Sequence, residues 1–80
     1  MPTVLRSGRY RFFFFSNEGS EPAHIHVEGG DGYAKLWLEP TALAEAHGLK
    51  VKELREIRQI VLEHKNEIIE AWNEHFRHQG

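Results

Sequence analysis

His24 and His26 stand two residues apart in the segment Glu21-Pro22-Ala23-His24-Ile25-His26-Val27-Glu28. Alternate side chains of a strand share a face. Both imidazoles and Glu28 therefore point one way, while Ile25 and Val27 point the other, into a core. Two kinds of chemistry suit this pattern. His24, His26 and Glu28 can share a divalent metal, with a distant ligand completing the shell. Alternatively, His24 and His26 can act as general acid and base on a phosphodiester, as in metal-independent ribonucleases. Arg9 or Arg11 would then hold the phosphate from a neighbouring strand. The plainer reading is a structural or surface pair, because so short a motif recurs by chance and a site needs convergent geometry. Apart from that divalent metal, nothing in the sequence calls for a cofactor.

The composition narrows the setting. The chain has 80 residues, 12 acidic and 10 basic, a net charge of -2, six histidines and no cysteine. That length suits one domain with a modest core, here residues 1–80. The absence of cysteine excludes disulfides, thiolate zinc sites and a cysteine nucleophile. Near-neutral charge argues against a dedicated nucleic-acid coat. Arg6, Arg9 and Arg11 nevertheless precede the first acid, Glu18, so an acidic partner or RNA remains a candidate for that end. No apolar run suggests a leader or a membrane span, and the cytoplasm is the expected location.

The elements that must position these residues follow from pattern. Residues 3–6 read as a short strand. Tyr10 to Phe15 reads as an aromatic strand, with Tyr10, Phe12 and Phe14 on one face and Arg11, Phe13 and Phe15 on the other. Ser16 to Pro22 is a polar loop, and Asn17 or Glu18 can fold over the His24 face or simply form a turn. Residues 24–28 and 33–39 form two further strands, joined by a hairpin turn at Gly29-Gly30-Asp31-Gly32. Thr41 to His47 reads as a short helix, preceded by Pro40 and stopped by Gly48. Val51 to Phe76 reads as one long amphipathic helix with no Gly or Pro inside it. The expected fold is α+β: an antiparallel sheet of three to four strands packed against a short helix and a long C-terminal helix.

Length adds a clue about partners. About 26 helical residues at about 1.5 Å each span roughly 39 Å. A compact chain of this size is about 30 Å across. An overhang would carry Ile68, Ile69, Trp72 and Phe76, which then dock on a second copy or a small cognate protein. The alternative is a kink that folds the helix end back on the sheet.

Several blocks together carry a resemblance. They are Met1-Pro2-Thr3-Val4-Leu5-Arg6, Tyr10-Arg11-Phe12-Phe13-Phe14 with Ser16-Asn17-Glu18, Glu21 to Val27, Ala34-Lys35-Leu36-Trp37-Leu38 and Ala71-Trp72-Asn73. In order and spacing they resemble the bacterial family called domain of unknown function 4160. The resemblance implies a small cytoplasmic bacterial protein whose gene often lies beside that of another small protein, in pairs proposed as toxin–antitoxin modules. It supplies no catalytic residues. Ala23 stands where the family often has a second proline. The expected function is a protein-binding component of such a module, acting through a homodimer or a cognate partner. The alternative is a ribonuclease-like toxin or metal-binding protein using His24 and His26.

Overall fold

Four strands follow propensity and alternation, and a fifth joins them by pairing. The computed structural model describes residues 3–15 and 19–77, in the order β1 (Thr3–Ser7), β2 (Tyr10–Phe13), β3 (His24–Gly29), β4 (Gly32–Leu38), β5 (Thr41–His47), α1 (Val51–Glu63) and α2 (Lys65–Phe76). The strands form one antiparallel meander in chain order, with β1 and β5 at its edges. The expected hairpin forms between β3 and β4, where Gly29 pairs with Gly32 and Gly30 takes the left-handed conformation at φ 57.

Register decides which side chains share a face. Phe12 pairs with Val27, and Val27 with Ala34. These residues, with Tyr10, Phe14, Ile25, Leu36 and Leu38, form the helix-side face and pack on Ile57, Val61, Ile68, Trp72 and Phe76. Phe13 pairs with His26 and His26 with Lys35, so these three face the other way.

Two expectations about the second half are corrected. Thr41–His47 is a fifth strand, not a short helix. Its alanines favour helix locally, but ladder pairing with β4 prevails over propensity. Glu39 and Pro40 form the turn, Leu38 pairs with Thr41, and the Thr41 hydroxyl donates to the Leu38 carbonyl at 3.2 Å. A register shift leaves Ala44 as an extra residue in β5, between Leu43 opposite Leu36 and Glu45 opposite Lys35.

The single long helix is also corrected. It breaks at His64, whose backbone sits at φ -112, ψ 18. The His64 amide still donates to the Ile60 carbonyl and its carbonyl accepts from the Ile68 amide, each at 3.0 Å, so little backbone bonding is lost at the break. The His64 imidazole meets the Glu67 carboxylate at 3.0 Å in the first turn of α2. On either side of the break α1 lies beside β5 and α2 reaches β1, so the wide apolar arc is spread over the sheet. The described chain measures 37 × 21 × 20 Å with a radius of gyration of 11.8 Å.

The break moves residues expected on an overhang. Ile68, Trp72 and Phe76 are buried in the chain's own core, and Ile69 is half-buried against it. Trp72 meets Phe14 edge-on at 5.2 Å between ring centroids and Phe76 at 4.2 Å. Ile68→Ala should therefore cost about 2–5 kcal/mol of stability. Urea unfolding should give that loss equally at low and high protein concentration. A loss that grows on dilution would place Ile68 at a subunit interface instead.

Candidate functional site

The sheet face shared by Phe13 and Lys35 carries the His pair, and it is paved with rings, with α2 reaching its His24 end. His24 and His26 lie on β3, flanked by β2 and β4. Their relative exposures are 0% and 2%. Their rings meet edge-on at 5.0 Å. His24 lies 4.9 Å from the Trp72 ring and 5.6 Å from Trp37. His26 lies 4.5 Å from Phe15 and stacks between Phe13 at 5.6 Å and Tyr33 at 5.9 Å. Tyr33 stacks in turn on His47 at 6.3 Å. A row of rings thus crosses four strands, from Phe13 through His26 and Tyr33 to His47.

Buried imidazoles need hydrogen bonds, because an unmet ring nitrogen is costly away from water. The Nδ1 of His24 lies 2.9 Å from the Pro22 carbonyl. A carbonyl only accepts, so this nitrogen carries the proton. The Nδ1 of His26 lies 2.7 Å from the Tyr33 hydroxyl, which can serve either tautomer. Pro22 enters the site through this carbonyl, just ahead of β3.

Arg11 shares the face but is engaged elsewhere. Its Nε donates to Glu28 at 2.7 Å, its Nη1 to the Thr3 hydroxyl at 3.1 Å, and its guanidinium lies 4.4 Å over the Phe13 ring. The expected triad of His24, His26 and Glu28 is therefore divided: the two histidines are enclosed, while Glu28 is exposed and turned to Arg11. Among the described residues no three His, Asp or Glu side chains are grouped to hold a metal ion. The suggestion that Asn17 or Glu18 completes the site falls outside the described residues.

Sequence reasoning missed most of the enclosure. Tyr33, Lys35 and Trp37 had the right parity, and pairing β4 to β3 through the hairpin places them beside the histidines. Lys35 stands 4.7 Å over Trp37 and donates to Glu21 at 3.0 Å. His47, expected in a helix, ends β5. Trp72 comes from α2, nearly fifty residues from His24 in sequence.

A second feature lies on the opposite flank, where α1 runs beside β5. Leu36, Leu43, Val51, Leu54, Arg55, Ile57 and Arg58 line a cleft of about 170 Å³ there. The two sites, an enclosed ring face and an open apolar cleft, are the fold's functional candidates.

A family model described as Domain of unknown function (DUF4160) matches residues 10–73. The chain belongs to this family. No curated protein and no solved structure matches it. The DUF4160 match runs from the start of β2 to the last turns of α2, so both candidate sites lie within it. Among the described residues no helix is long and apolar enough to cross a membrane.

Tyr10, on the helix side of the sheet, illustrates the cost of burial. It is 4% exposed, and its hydroxyl has no hydrogen-bond partner among the described residues. Burial first, then the carboxylates of Glu56 and Glu53, push its pKa above the ordinary 10.0, with Arg9 opposing. The fold thus favours the neutral phenol. Its contribution is complete below pH 10.0 and is lost as pH rises through the raised value. Tyr10→Phe should leave stability at pH 7 unchanged or higher, since it removes an unpaired buried hydroxyl. It should also flatten the alkaline decline. Denaturant midpoints from pH 7 to 11 check both; a large loss at pH 7 would reveal a partner for the hydroxyl.

Proposed function

We propose that this DUF4160 protein is a protein-binding component of a two-protein module of the toxin–antitoxin kind, engaging a small cognate protein through the flank formed by α1 and β5. One observation carries this reading. Leu43, Val51 and Leu62 are the exposed large hydrophobic residues among those described, at 49%, 65% and 41%, and all three belong to this flank. Single exposed leucines need no explanation, but Leu43 and Val51 border one apolar cleft and Leu62 continues the same side of α1, which has the character of an interaction surface. The gene arrangement implied by the family resemblance supplies the class of partner, a second small protein encoded nearby.

The His24 and His26 face supports this role less directly. Two enclosed imidazoles with ring neighbours are arranged to hold the sheet, and a phosphodiester has no approach to them as they stand. The geometry therefore favours binding over hydrolysis.

Co-expression with the protein encoded by the adjacent gene tests the proposal. A stable complex should co-purify and persist in sedimentation. Leu43→Glu combined with Val51→Glu should weaken it by about 100-fold or more, because each change buries a carboxylate in an apolar contact. Both positions are exposed, so the isolated fold should be retained. Absence of a complex, or a complex undiminished by the double substitution, would count against the proposal.

A further inference from the structure

Val51, Arg55, Arg58 and Leu62 are spaced by four, three and four residues along α1. At about 100° per residue they fall within roughly 60° of one another, forming one row along the helix. The row is about 16 Å long, or three helical turns. Leu43 of β5 stands beside its N-terminal half, across the cleft floored by Leu36, Leu54 and Ile57. Four-three-four spacing is the spacing at which one helix presents a seam to another.

The middle of this seam is cationic. Arg55 and Arg58 take part in none of the ion pairs found among the described residues. Covering two guanidiniums with apolar surface alone would strip their water without compensation. Whatever covers the seam must bring carboxylates to its centre and apolar side chains to its ends.

A second copy of this chain does not meet that need. An antiparallel twofold pairing of the row sets Arg55 against Arg58 of the second copy, and a parallel one sets like against like. Either brings guanidinium groups together. We infer that the α1 and β5 flank receives an amphipathic helix from a different protein, with acidic residues at the centre of its apolar stripe. This rests on the protein-binding reading above and names the partner's chemistry.

A synthetic probe tests the inference directly. The probe is a peptide of about 16 residues, helical by composition, with leucines at both ends of one face and glutamates between them; a control carries lysines in place of those glutamates. Methyl-labelled NMR titration should show saturable shifts confined to Leu43, Val51, Leu54 and Leu62. The lysine control should bind about tenfold more weakly or worse, and the difference should shrink as salt rises. Arg55→Glu with Arg58→Glu should reverse the preference. Equal binding of both peptides, shifts elsewhere or none at about millimolar peptide, or a self-dimer that shields these methyls would overturn the inference. The two proposals fail separately. An acidic peptide that binds while the adjacent-gene protein does not would remove the module and keep this surface. A complex with that protein unaffected by the arginine reversals would remove this surface and keep the module.

Discussion

Phe12, Phe13 and Phe14 place rings on both faces of one strand, and neither face can be left to water. Burying a phenylalanine is worth roughly 1.5–3 kcal/mol, so three such rings dominate a core of this size. Much of the architecture follows from covering them. On one side Phe12 and Phe14 lie under the helices, where Trp72 and Phe76 of α2 reach Phe14. On the other side Phe13 is covered by Arg11, Phe15 and His26. The docking of α2 and the ring pavement around the histidines both cover the rings of that one segment.

The same demand accounts for the condition of the histidines. A ring that fills space in this layer must also place its polar edge, and the Pro22 carbonyl meets Nδ1 of His24 while the Tyr33 hydroxyl meets Nδ1 of His26. Imidazole suits such a position because it combines a flat stacking surface with polar edges. Arg11 is similarly spent, its charge on Glu28 and its flat face on Phe13. The face resembles a sealed inner layer more than an open reaction site.

The first half of the fold was legible because its signals are local. Alternation, the aromatic run and the Gly29–Gly32 turn mark the strands of this half and the pairing of residues 24–28 with 33–39, and parity alone puts His24, His26 and Glu28 on one face. The second half was not, because its decisive contacts are distant. Thr41–His47 reads as helix from Thr41 as a cap and Gly48 as a stop, and only its pairing with β4 makes it a strand. Nothing near His64 marks a break, since neither Gly nor Pro is present. The site was half legible for the same reason. Its histidines share a strand, but Trp37 and Trp72 come from β4 and α2, so their enclosure could not be read from the motif.

With the aromatic strand covered on both faces, large apolar side chains remain exposed, among the described residues, only on the flank of α1 and β5. The functional reading depends on that closure, because an undocked α2 would also expose Ile68, Trp72 and Phe76. Proton–proton NOEs from the Trp72 indole test it most directly. In dilute, monomeric protein the account predicts cross-peaks from Trp72 to the rings of both Phe14 and His24. A Trp72 indole with neither contact, and with solvent-exposed exchange at its N–H, would contradict it.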